Sequence, residues 1–162
     1  MERPTTERLR EELRQTKPFP SRSQEAYLAL LRTVDELRRR SSALMGQHDV
    51  SLEQYNVLRI LRGAGAAGLP TLEIAGRMVE RQPGVTRLLD KLEAKGLVHR
   101  VRCKEDRRQV LCTLTETGRR LLAALDGPVD ESSQRSFGAL RPEELETLVE
   151  YLDRIRYPEL YP

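Results

Sequence analysis

The sequence predicts a mainly helical chain carrying one small β-hairpin. Three observations lead there. Apolar residues recur every three or four positions through most of the 162 residues. The period drops to two only between Leu97 and Leu114. Aromatic residues make up 4% and Trp is absent, too few to line an all-β barrel or sandwich.

The elements follow in order. A charged, weakly apolar helix is expected from about Thr5 to Gln15, with Leu9 and Leu13 its only large apolar residues. It is marginal by itself, and Pro18-Phe19-Pro20 ends it. Ser23 is placed to cap a long helix reaching about Met45 on Tyr27, Leu30, Leu31, Val34, Leu37 and Leu44. Gly46 to Asp49 breaks it. Ser51-Leu52-Glu53-Gln54 then has the Ser-x-x-Gln form of a capping box. That helix runs to Arg62 and stops at Gly63-Ala64-Gly65. A loop to Gly68 leads to Pro70-Thr71, where Thr71 is expected to cap a short helix through Met78. Pro83 suits the first position of the next helix, Pro83 to Lys95, which buries Val85, Leu88, Leu89 and Leu92. Gly96 closes it from the C′ position. Leu97 to Cys103 and Gln109 to Leu114 read as strands around a charged turn. Thr115 caps a further helix, in which Gly127-Pro128 is expected to impose a kink or a break. Pro142 starts a last helix on Leu145, Leu148, Val149, Leu152 and Ile155. The tail from Tyr157 cannot extend it.

Charge is distributed unevenly. Residues 81–108 hold nine Lys/Arg against four Asp/Glu, a net of +5. The rest of the chain has 19 bases and 21 acids, so the whole +3 excess sits in 28 consecutive residues. A localised basic segment is the electrostatic footprint of a nucleic-acid partner. Other classes are disfavoured. The longest apolar run, Ala26 to Leu31, is far short of the ~20 residues that span a bilayer. Met1 to Arg8 has no apolar stretch of a secretory signal. Two Cys and two His make neither a disulfide framework nor a four-ligand zinc site, so a reducing cytoplasm is the expected location. No nucleophile–base pair, phosphate loop, metal motif or cofactor motif points to an enzyme.

Helix, short helix, helix, two-stranded hairpin is the plan of a winged helix-turn-helix. The third of these helices would enter the major groove, and the hairpin tip would reach the adjacent minor groove. The stretch Val85 to Val98 (VTRLLDKLEAKGLV) and the wing pattern D-x-R-x5-L-T, met by Asp106, Arg108, Leu114 and Thr115, resemble the core of the multiple antibiotic resistance regulator (MarR) family. The likeness extends more loosely from about Ser23 to Ile155.

That resemblance implies a bacterial or archaeal homodimer on a pseudopalindromic operator, usually a repressor released by a small ligand or by oxidation. It implies an N-terminal extension, residues 1–20, and one domain, residues 21–157. Within the latter, the winged helix-turn-helix covers about 50–115, and dimerisation helices cover about 23–45 and 116–156. Residue by residue, Gln82, Thr86 and Arg87 fall at the start and exposed face of the recognition helix, with Arg87 the candidate for a base edge. Pro83 and Gly84 shape the helix start. Lys91 either meets phosphate or pairs with an acid such as Glu93. Asp106 and Arg108 hold the wing turn, with Arg108 also at the DNA. Arg107 points outward to the minor groove. Arg100 and Arg102 are phosphate contacts or the wet face of a strand. Pro128 and Arg141, the latter where a Ser or Thr cap is usual, depart from the family pattern.

A family effector pocket would by position draw on Tyr27, Leu31, Arg38, His48 and Tyr55, for a small aromatic or lipophilic ligand. Cys103 and Cys112 flank the wing tip. They allow a redox switch as an alternative, against the plainer reading of small apolar side chains in strands. A winged module serving protein–protein contact is the further alternative, disfavoured by the +5 segment.

Overall fold

The computed structural model describes residues 4–80, 84–102 and 109–161. The chain falls into two compact units, Met1–Ser41 and Ser42–Pro162, with one long helix passing from the first into the second.

In the first unit, α1 (Pro4–Glu12) lies beside α2 (Arg22–Gly46). Their pairing offsets the weak propensity of the short helix. Thr6 is only 4% exposed, and its hydroxyl donates to Glu25 Oε1 at 2.5 Å. Arg22 pairs with the other oxygen of the same carboxylate, and Arg32 Nε donates to Glu12 at 3.2 Å. Thr6 meets Glu25 and Glu12 meets Arg32, so the two helices run in the same direction. The cap of α2 is Ser21, not Ser23: the Gln24 amide donates to Ser21 Oγ at 3.1 Å. Starting at Arg22 puts Glu25 in the first turn, where the helix dipole favours a carboxylate. Tyr27, Leu31 and Val34 form an exposed apolar stripe at helical spacing.

The second unit is built around α3 (Leu52–Ala64), with the expected capping box. The Ser51 amide donates to Gln54 Oε1 at 3.0 Å, and the Gln54 amide donates to Ser51 Oγ at 3.2 Å. Gly65, at φ +68°, ends the helix. The stretch read as a loop to Gly68 holds a 3-10 turn, Gly65–Ala67, and is followed by a strand, β1 (Leu69–Pro70). Next comes α4 (Thr71–Arg77), which starts at Thr71; its N-cap is Pro70, and no side chain caps it. The following helix, α5 (Val85–Ala94), begins later than expected, because Gly84 occupies the N-cap in the left-handed region at φ +102°. Its C-terminus closes as a Schellman motif: Gly96 N–H donates to Glu93 O and Leu97 N–H to Leu92 O, at 2.8 and 2.9 Å.

The hairpin strands are β2 (Val98–Arg102) and β3 (Val110–Leu114), antiparallel from Val98↔Leu114 to Arg102↔Val110. β1 adds to the other edge of β3, with Leu69 opposite Cys112, so the sheet order is β1-β3-β2. Proline fits this strand because an edge does not require its missing N–H. Thr115 caps α6 (Glu116–Phe137), accepting from the Gly118 amide at 3.0 Å. This helix continues through Pro128, so of the expected kink or break the break does not occur. Proline removes one hydrogen bond from the ladder, and the turns on either side carry the helix on. Finally, α7 (Pro142–Arg156) has Arg141 at its N-cap, which takes the place of a hydroxyl cap by drawing Glu144 back. The Glu144 carboxylate accepts from the Arg141 amide at 2.8 Å and from its guanidinium at 3.1 Å. The tail folds into a 3-10 turn, Pro158–Leu160, and Tyr161 donates to Asp153 at 2.9 Å.

Met45, Leu58, Leu61, Ile74, Leu89, Leu92, Cys112, Leu122 and Leu125 form the dry centre of this unit. Helix α7 contributes no buried residue. Among the described residues, no helix is long and apolar enough to cross a membrane.

Candidate nucleic-acid interface

Helix α5 has two chemically distinct faces. Val85, Leu89 and Leu92 are buried, with Leu88 half-buried beside them. Thr86, Arg87, Asp90 and Lys91 are exposed on the other face. The one-turn spacing that sends leucines into the core therefore presents a short hydroxyl and two cations together. Gly84 at the helix start is required by its positive φ; a Cβ there would find open space, with only Arg87 Cδ at 4.0 Å.

Neighbouring elements hold this helix. Asn56 on α3 accepts from the Val79 amide at 3.0 Å, fixing the segment that follows α4. Lys95 pairs with Asp49 at 2.9 Å, tying the end of α5 to the turn after α2. Thr115 donates to Gly96 O at 2.7 Å, and its amide donates to Leu97 O at 3.1 Å, joining the start of α6 to the corner between α5 and β2. Gly118 is the close approach that this corner needs: a Cβ there would stand 2.4 Å from Leu97 O. Asn56 and Asp49 carry no sequence signal for these roles, because their partners are 23 and 46 residues away.

On the hairpin, Arg102 is exposed. The Arg100 side chain is 23% exposed and occupied by α5: Nη2 lies 2.7 Å from Asp90 and 2.7 Å from Glu93, and Nε donates to Glu93 at 2.8 Å. The guanidinium holds the Glu93 carboxyl below its ordinary range, and the two acids push the arginine further up. Glu93, weighed from the sequence as a partner of Lys91, is thus taken by Arg100. Gln82, Pro83, Cys103, Asp106, Arg107 and Arg108 lie outside the described residues.

Cys112 is fully buried, and burial pushes its thiol pKa up, which disfavours the reactive thiolate. Its neighbours across the ladders are Arg100 and Leu69, so the strand register does not set it opposite Cys103. Of the effector-pocket candidates, Tyr27 and Leu31 are exposed and Arg38 is half-buried on the first-unit part of α2. His48 and Tyr55 belong to the second unit. Tyr55 is a core residue, 6% exposed, with the Arg59 guanidinium 5.9 Å from its ring centre.

Comparison with known proteins places this module. Residues 50–110 match the model of the MarR family. An uncharacterized HTH-type transcriptional regulator of Bacillus subtilis (strain 168), YfiV, is 36% identical over 104 residues. That match covers 64% of this chain and spans 64% of the relative's length. A MarR transcription factor from Planctomyces limnophilus, solved by crystallography, is 41% identical; the match covers 83% of this chain and 98% of that one, with a TM-score of 0.66. The S. aureus MepR–DNA complex is 28% identical, with 82% and 97% covered and a TM-score of 0.74. With residues 50–110 matching the family model and 41% identity in a match that covers 98% of a solved member, the chain belongs to the MarR family of transcriptional regulators.

Proposed function

We propose that the protein is a sequence-specific regulator of transcription that binds double-stranded DNA as a homodimer. In this reading it represses from a pseudopalindromic operator and is released by a small aromatic or lipophilic ligand. The observation that carries the DNA reading is the exposed face of α5, where Thr86, Arg87 and Lys91 stand over a buried leucine face. Arg87 reads a base edge and Lys91 a phosphate. Gln82, Pro83 and Gly84 present the helix start. Arg102 meets the backbone, Arg107 enters the minor groove, and Asp106 with Arg108 holds the wing turn, Arg108 also reaching the DNA. The +5 charge of residues 81–108 supports this assignment, as does the likeness to MepR, which was solved on DNA.

Dimerisation is supported by apolar surface that the single chain leaves open. Tyr27, Leu31 and Val34 on α2 are exposed, as are Val149 and Ile155 on α7, the last two at 63% and 65%. A second copy would cover them. Release by a ligand rests on the family resemblance alone: Tyr27, Leu31 and Arg38 are its candidates on the first-unit part of α2, and His48 and Tyr55 its candidates in the second unit, each unit taken by itself. Burial of Cys112 and its register opposite Arg100 weigh against the redox alternative.

The test is selection of a binding site from random duplexes, followed by titration at several salt concentrations. The proposal expects a two-fold-related consensus and an affinity that falls steeply with salt. Absence of sequence preference, or a flat salt response, would contradict it.

A further inference from the structure

Asp90 poses an electrostatic problem on the proposed DNA-facing surface. Its side chain is 54% exposed and sits between Arg87 and Lys91 on the exposed face of α5. A bare carboxylate there would repel the phosphates that those cations attract. Glu93, one turn along, adds a second acid. Helix α5 has no remaining cation near enough in sequence to neutralise both without removing Arg87 or Lys91 from the DNA.

The neutralising charge comes from the hairpin. Arg100 reaches back from β2 to both carboxylates at 2.7 Å. A planar guanidinium can satisfy two acids at once, which a lysine ammonium does less well. We infer that Arg100 is an electrostatic clamp: it masks Asp90 and Glu93 within the DNA-facing surface and fixes α5 against β2, and it is not itself a phosphate ligand. The inference rests on the proposed DNA reading. It gives Arg100 a positioning role different from both sequence-based alternatives, a phosphate contact or a wet strand face. Arg100 also faces Cys112 across the ladder, so the clamp is anchored to the central strand of the sheet.

A double-mutant cycle tests it. Arg100→Met removes the charge and keeps an aliphatic stem for packing; Asp90→Asn removes the carboxylate it masks. Each single variant, the double variant and the wild type are titrated with operator DNA across a salt series, with thermal melts alongside. Arg100→Met is expected to weaken binding about fivefold through the two unmasked acids. Asp90→Asn should change affinity little in the wild-type background, where the acid is already neutralised. In the Arg100→Met background it should restore part of the loss, the remainder being due to Glu93. Should Arg100→Met melt early, Arg100→Gln repeats the cycle.

If Arg100 instead bound phosphate, Asp90→Asn would act equally in both backgrounds. Arg100→Met would then flatten the salt slope by about one. That result would overturn the clamp and leave the DNA reading intact. Failure of the wild type to bind any duplex would overturn both.

Discussion

Substituting Gly118 by alanine should destabilise the protein, although alanine is the better helix former. In an open helical position the exchange gains up to about 1 kcal/mol. At Gly118 the new Cβ would stand 2.4 Å from the backbone oxygen of Leu97 and 2.8 Å from Leu114 Cδ1. Both distances are well inside the ~3.5 Å of an ordinary contact. The obstructing oxygen cannot simply swing away, because it accepts the Thr115 amide at 3.1 Å. Overpacking of this kind costs about 1–3 kcal/mol, and loss of the Thr115 bond adds about 1 kcal/mol. Set against the helical gain, the net loss is about 2 kcal/mol, or about 4–8 °C in melting temperature for a chain of this size. Gly63 on α3 is the control: nothing lies within 4 Å of its Cβ position, so Gly63→Ala should leave stability unchanged or slightly raised. Both variants can be melted by circular dichroism at one protein concentration, which keeps any association term constant. A Gly118→Ala protein as stable as the Gly63→Ala protein would refute the packing of α6 on the α5–β2 corner.

Three further outcomes are expected. Val149→Glu with Ile155→Glu places charge on the exposed apolar face of α7; sedimentation should show dissociation toward monomer, and an unchanged mass would remove α7 from the interface. Arg40 and Arg39 lower the pKa of Glu36, Arg100 that of Glu93, and Arg141 that of Glu144. Their stabilisation is therefore present above the unfolded carboxylate pKa and lost as pH falls through the lower folded values. Melts from pH 6 to 3 should show that decline, and Glu93→Gln should make it shallower. In a Cys103→Ser variant, the remaining thiol, Cys112, should resist a thiol reagent in the folded protein and react on unfolding; rapid labelling of the native state would contradict its burial.

Much of this architecture is legible in the sequence because its causes are local. Ser51 and Gln54 cap one another across three residues. Gly96 closes α5 with its own last turn, and Thr115 caps the helix it begins. The two faces of α5 follow directly from leucine spacing. Features set by distant partners are not legible in this way. Strand β1 is two residues long and exists only through Leu69 and Pro70 pairing with β3, some forty residues on. Ser21 and Ser23 offer equivalent hydroxyls, and the Glu25 contacts with Thr6 and Arg22 accompany the start at Arg22. Continuity through Pro128 depends on hydrogen bonds flanking the proline, which a residue-by-residue propensity does not count. The basic character of Arg100 is visible in the sequence, but its two acidic partners are a property of the fold.

The most direct measurement compares wild-type protein with Arg87→Ala on a selected operator and on an unrelated duplex, at low and at physiological salt. If the exposed face of α5 reads DNA, the substitution should cost about 1–3 kcal/mol on the operator, leave the melting temperature unchanged, and narrow the gap between operator and unrelated DNA. Equal affinity of the two proteins for the operator, with both folded, would contradict the assignment.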